Sequence, residues 1–365
     1  MTARASSGPS QPPRWPRESA EACAQRLDIS QTAASLFQAS EVLDLHVDSF
    51  IWTRLCGYRL DRRHTPGWLG ARWARQVDLP RLRQVGIGAA TWVITTNPLR
   101  TARGRARAFE HNAWRLRRLL EANPEVRVVS DCASYREAVA AGQHAAFLAV
   151  QGGNAVDADL GQLDGLSRAG VMRVTLVHMT ASRLGGTSFP PGGSRRGLTP
   201  FGFEVVRALN ERRIFVDLAH IERRAFFEAL QAHDKSLPPI VTHTGVEGVH
   251  PHWRNLDDEQ LHAIANRGGV IGIMYHTPFL TSGWRRGSVE HVADHIEHVA
   301  KTVGHHCVAL GSDWDGAIIT PKDMATCLEL PRLVDVLLRR GWSELQVQGL
   351  LAGNFLRTLR DLRGE

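Results

Sequence analysis

Three patterns are missing from this 365-residue chain, and each absence removes a class of protein. No apolar run reaches the ~18 residues that a membrane-spanning helix needs, so no bilayer span is expected. Cysteine occurs only at 23, 56, 132, 307 and 327, an odd number without CxxC spacing. That argues against a disulfide framework or a thiolate metal cage and suits a reducing, cytoplasmic setting. Lysine occurs only at 235, 301 and 322, so arginine carries nearly all of the positive charge behind a net +7. The arginine bias runs through the whole chain. In its densest stretch, residues 100–123, Phe109, Trp114, Leu116, Leu119 and Leu120 recur at roughly helical spacing. An amphipathic outer helix with a solvated arginine face is expected there, and not a nucleic-acid surface, because no recognised binding module accompanies the charge.

What is present is ample for a core, with 43% hydrophobic residues. The opening MTARASSGPSQPPRWPRESA is rich in Pro, Ser and Arg and lacks the apolar segment of a secretory signal. Residues 1–22 therefore read as a disordered leader. Residues 23–365 read as one domain, since no internal repeat or Gly/Ser or Pro linker divides them. Eight short β-rich runs lie near 42–45, 88–94, 146–150, 173–177, 214–218, 240–242, 270–275 and 307–310. Helical patterns such as 199–212, 223–232, 257–267 and 288–303 separate most of them, the alternation of parallel βαβ units. Eight such units predict an α/β fold, a (β/α)8 TIM barrel. Ser134 and Asp257 are the expected caps of two helices, with Gly142 and Gly268–Gly269 closing them. The tail, residues 341–362, reads as a final helix or helix pair packed on the outside.

A barrel of this kind carries its chemistry at the C-terminal ends of the strands. The polar residues expected there are His46 and Asp48 after the first strand, Gln151 after the third and His178 after the fourth. His220, His243 and Asp313 follow the fifth, sixth and eighth strands. His46 and Asp48, at i and i+2, point to the same side and form a metal arm. One H-x-D triplet is a weak signal. Three further imidazoles and an aspartate at other strand ends make it a strong one, because barrel interiors are otherwise filled with branched apolar side chains. Imidazole and carboxylate ligands without thiolate suit zinc or a similar divalent ion. The remaining histidines fall in loops or on helical faces, where exposure or a local hydrogen bond is expected. His276, at the end of the seventh strand, is the exception and a candidate pocket-lining residue.

The blocks LDLHVD, FLAVQGGNAV, RVTLVHMT, IFVDLAH, PIVTHTG, HPHWRNLDDEQLHAIANRGGVIGI and ALGSDWDG resemble the membrane (renal-type) dipeptidases, metallopeptidases within the wider amidohydrolase-like barrels. The resemblance runs from about residue 42 to 359. It implies a two-zinc site acting on dipeptides, with His46 and Asp48 on one ion, His220 and His243 on the other, and position 151 bridging them. Asp313 would face the bridging water as proton shuttle and possible ligand. His178 would polarise the scissile carbonyl and stabilise the oxyanion, and Arg254 would clamp the substrate's terminal carboxylate. A plainer role for Arg254 is pairing with Asp257 or Asp258. The partner implied is a small molecule or dipeptide, and a homodimer is compatible with the pattern.

One position departs. The family carries Glu where this chain reads VQGGN, and an amide has a single neutral oxygen and an NH2 that cannot ligate. Bridging is lost and one positive charge is left over, which weakens at least one metal. The expectation is a zinc-dependent hydrolase of dipeptides or similar small amides with one metal position weakened. The alternative is a repurposed homologue that acts on another small substrate or serves as a non-catalytic binding protein. The loop 184–201 departs from the family stretch as well.

Overall fold

The computed structural model describes residues 17–65, 70–97, 99–180, 182–190, 196–283 and 286–365. Nine parallel strands form its sheet: β1 (Leu43–Val47), β2 (Ala89–Thr95), β3 (Val126–Val129), β4 (His144–Gln151), β5 (Val171–Thr175), β6 (Phe215–Asp217), β7 (Ile240–Thr244), β8 (Val270–Ile273) and β9 (Val308–Leu310). The pairing order is β1-β2-β4-β5-β6-β7-β8-β9, and β3 pairs only with β4. All eight expected strands are therefore present, with ends displaced by one or two residues, and they form a nearly closed eight-stranded (β/α)8 barrel. β3 was not anticipated. It lies along the first half of β4, and β5 takes that same edge from Leu148 onward.

Helices cover the barrel where the sequence calls for them. Thr199 caps Pro200–Glu211, whose first residue is a proline preset for helix, and Asp257 forms a capping box with Gln260. Two details differ. Asp131, not Ser134, caps helix Cys132–Ala140, and Ser134 is its third residue, closing the box from inside. In helix Ala102–Glu121 the buried stripe is Ala106, Phe109, Ala113, Leu116 and Leu120, whereas Trp114 and Leu119 are exposed. The expected leader boundary at residue 22 falls inside helix Ala20–Leu27, which Ser19 caps, and Glu18 N–H donates to the Gln84 carbonyl. Residues 1–16 lie outside the described residues. Among the described residues no helix is long and apolar enough to cross a membrane, and all five cysteines are free.

The inside of the barrel is divided along its axis. At the N-terminal end of the strands Leu43, Leu45, Phe147, Phe215 and Ile240 form an apolar layer. The C-terminal helix Asn354–Arg363 closes that end: Phe355 packs against Phe147 and Phe215 with ring centroids 6.2 and 5.8 Å apart. The tail thus floors the barrel as well as lying outside it. At the opposite end the strands release polar side chains.

Candidate metal centre

The barrel closes through the residues that carry its polar chemistry. Asp313 N–H donates to the His46 carbonyl at 3.1 Å and Asp48 N–H to the Trp314 carbonyl at 2.9 Å. These bonds stitch the end of β1 to the segment after β9 and set His46, Asp48 and Asp313 side by side. His46 Nε2 lies 3.6 Å from Asp48 Oδ2 and 3.7 Å from Asp313 Oδ1. It is buried, with no hydrogen-bond partner among the described residues. Asp313 and His220 hold φ of 61° and 65°, left-handed backbone that costs a non-glycine residue roughly 1–2 kcal/mol. Strain of this kind concentrates at functional sites.

The two carboxylates differ sharply in acidity. Burial pushes Asp48 up, but its polar neighbours, His46 first and the Thr95 hydroxyl after it, outweigh this and hold the carboxyl below its ordinary range. Burial, and then the charge of Asp48, push Asp313 well above that range. Two carboxylates this close oppose each other's ionisation, and Asp313 is the one pushed toward its protonated form.

A buried network orients the imidazoles from below. Arg173, fully buried on β5, pairs with Asp217 at 2.8 Å, donates to the Thr175 hydroxyl at 2.7 Å and lies 2.9 Å from His46 Nδ1. A guanidinium only donates, so Nδ1 accepts and the neutral ring carries its proton on Nε2. Metal uptake at that nitrogen therefore releases a proton. Thr242 Oγ1 donates to Asp217 Oδ2 at 2.7 Å, which leaves it to accept from His243 Nδ1 at 2.9 Å. His243 Nε2 is thereby kept as a lone pair, the arrangement a metal-binding histidine needs.

Gln151 ends β4, and Gly152 at φ 96° turns the chain at once. A Cβ on Gly152 would meet Thr96 Oγ1 at 2.6 Å. The Gln151 amide nitrogen lies 3.1 Å from His220 Nε2 and 3.3 Å from His243 Nε2, which are 2.9 Å from each other. The Thr95 hydroxyl sits 3.2 Å from Gln151 Oε1 and 2.9 Å from Asp48 Oδ1. An amide NH2 thus faces the two nitrogens that a second ion would need. His220 Nδ1, buried without a partner among the described residues, has no acceptor to fix its tautomer. The donor set fits one ion: His46, His243 and Asp313 offer buried ligand atoms within 4.8 Å of one another, and Asp48 adjoins them. Among the described residues no second group of three such ligands meets at His220.

The other expected residues fall around this centre. The His178 ring centroid is 4.6 Å from that of His220, and burial lowers its pKa to about 4, so the ring is neutral. Arg254 is buried; its Nη2 donates to the His243 carbonyl at 2.7 Å, and its Nε has no partner among the described residues. Burial lowers its pKa to about 10. Asp257 and Asp258 pair instead with Arg223 and His298. His276 accepts from Ile319 N–H at 2.9 Å and packs its ring on Phe279, tying two loops together outside the ligand cluster. Arg173, Asp217 and Thr95 were not singled out in the sequence. A charged residue within each apolar strand, central in VMRVT and terminal in FVD, was the available signal for the first two.

The fold is a nearly closed eight-stranded parallel barrel with a candidate metal cluster of His46, His243 and Asp313 at its mouth. The membrane dipeptidases, peptidase family M19, match residues 30–363, and the chain belongs to that family. It is 28% identical over 300 residues to dipeptidase tcpJ of Claviceps purpurea, covering 79% of this chain and 70% of that protein. It is 32% identical over 220 residues to an uncharacterized protein in the pqqA 5' region of Klebsiella pneumoniae, covering 58% of this chain and 80% of that one. Its fold is similar to a metallo peptidase of Rhodobacter sphaeroides solved with a phosphinate mimic of the dipeptide L-Ala-D-Ala. The TM-score is 0.76 at 23% identity, over 88% of this chain and 99% of that one.

Proposed function

We propose that this chain is a metal-dependent hydrolase of dipeptides or similar small amides that works with a single tightly held ion, zinc by its donor chemistry. The observation that carries the reading is His46 Nε2, buried and unpartnered between Asp48 and Asp313 with His243 alongside. His46, Asp48, His243 and Asp313 would hold the ion. When bound, such an ion acidifies water and polarises a carbonyl at neutral pH.

The protein's own groups supply the rest. Asp313, beside His46, is placed to take a proton from the attacking water and pass it to the leaving amine. Neutral His178 can donate to the scissile carbonyl oxygen as charge develops on it. Arg254, with donors to spare and no carboxylate partner among the described residues, suits a substrate carboxylate. The relationship to a dipeptidase, with the likeness in fold to a metallo peptidase liganded with a dipeptide mimic, supports the substrate class.

One observation favours a second reading. The Gln151 amide facing His220 and His243 supports a repurposed site that has given up peptidase chemistry for binding or for another small substrate. Metal analysis of protein purified without chelator, with hydrolysis of a dipeptide panel, separates the two. One ion per chain with turnover is expected. Protein without metal or turnover after zinc supplementation would favour the second. Gln151→Glu is expected to raise the metal ratio from one toward two and to increase hydrolysis, because a carboxylate bonds both ions and cancels the surplus charge. Unchanged occupancy would show that residue 151 is not what limits the site.

A further inference from the structure

A second polar cavity lies between helix Phe50–Cys56, the end of β2 and helix Ala102–Glu121, with Thr95, whose hydroxyl touches Asp48 and Gln151, in its lining. It has a volume of about 420 Å³, and every charged residue lining it is an arginine: Arg54, Arg100, Arg105 and Arg115. Asn112 adds a neutral polar group. Three of the four arginines come from the basic stretch expected to form a solvated face.

The positive charge here is only partly neutralised. Arg105 is committed, donating to the Asn154 carbonyl at 2.8 Å and to Asp157 at 2.7 Å. Arg54 gives Nη2 to the Thr95 carbonyl at 3.1 Å, while its Nε is buried without a partner among the described residues. Among the described residues the Arg105–Asp157 bridge is the only salt bridge made by these four arginines. Burial lowers the Arg54 pKa; Asp48 opposes this, and the charges of Arg115 and Arg100 add to it. Guanidinium groups held together in a concave, half-buried space repel one another and focus a positive potential. Their planar forks match the oxygens of a carboxylate or phosphate.

We infer that this cavity binds a small anion carrying two or more negative charges, a phosphate monoester or a dicarboxylate, beside the barrel mouth and through arginines other than Arg254. Arg54 and Arg115 are its principal contacts, and Arg100 closes it from the rim. Arg105, already paired, fixes the wall. The volume suits a metabolite and excludes a folded partner. The inference is independent of the metal reading.

Calorimetric titration of the full chain with inorganic phosphate and, separately, with succinate at constant ionic strength tests it. Saturable binding of one anion per chain is expected, weakened at least tenfold by Arg115→Gln. Asn112→Asp places a negative charge in the cavity without removing an arginine, and should weaken binding as strongly. Arg254→Gln, in the barrel mouth, should leave it unchanged. Tighter phosphate binding assigns the site to phosphoryl groups, and tighter succinate binding to carboxylates. Three results would each overturn the inference: no saturable binding of either anion, undiminished affinity in Arg115→Gln or Asn112→Asp, or loss of binding in Arg254→Gln.

Discussion

The two ends of the same barrel obey opposite rules. At the floor, Phe147, Phe215 and Phe355 pack in an apolar layer sealed by a helix. At the mouth, a few residues further along the same strands, His46, Asp48, Gln151, His220, His243 and Asp313 meet with two of their number in left-handed backbone. Burial is complete or nearly so at both ends, so exposure does not distinguish them. The difference is what burial does: at the floor it stabilises, and at the mouth it opposes the charged form of both carboxylates and leaves imidazole nitrogens without partners. Between them Arg173 and Asp217 form a charged middle layer that belongs to the mouth by its contacts and to the core by its position.

That contrast can be broken at either end. Asp313→Asn should abolish the proton-holding role at the mouth and lower kcat by about 10²–10⁴-fold. Its denaturation midpoint should move little; a loss of fold equal to the loss of rate would make Asp313 structural. Phe355→Ala should do the reverse, costing about 3–5 kcal/mol in urea unfolding while leaving kcat near wild type at a temperature where the variant is folded.

A third test uses acid on the floor side. His144, the first residue of β4, accepts from Trp92 Nε1–H at 3.2 Å, and burial lowers its pKa from 6.5 to about 4. A depressed folded pKa means that its contribution is complete above about pH 6.5 and is lost as pH falls toward 4. The loss is on the order of 3 kcal/mol at full protonation. Urea midpoints between pH 7 and 4 should fall more steeply for wild type than for His144→Gln, and parallel curves would reject the assignment. The smallest effect is expected at the rim of the centre. Arg254→Ala should raise KM for a dipeptide about 10- to 100-fold, with less change in kcat, since a carboxylate clamp acts before and during the reaction alike. An unchanged KM would leave Arg254 a support for the β7 loop.

Much of the architecture was legible because strand-forming runs and helix caps are local signals. The mouth was legible because seven polar residues stand where a barrel places branched apolar ones. What escaped depended on context. β3 is a four-residue VRVV segment with an arginine inside, too short to show an alternation. Asp131 and Ser134 are three residues apart and both satisfy the capping box, so the sequence does not rank them. Trp114 and Leu119 are apolar but off the stripe that meets the barrel, and only the helix phase separates them from Phe109 and Leu116. Arg173 lies inside an apolar strand, where its value is invisible until Asp217 and His46 are placed beside it. The amide facing His220 and His243 likewise needed three dimensions: the sequence gives the exchanged atom, and the fold shows which nitrogens it meets.

The floor also sets an order of events. Phe355 rests on β4 and β6, and the π-helical turn Gly349–Gly353 lies against β1 and β9. During synthesis the first strand therefore waits for residues more than three hundred positions later before its lower end is covered. Until they emerge, Leu43, Leu45, Phe147 and Phe215 lack that cover, and apolar surface left uncovered during folding is prone to aggregation.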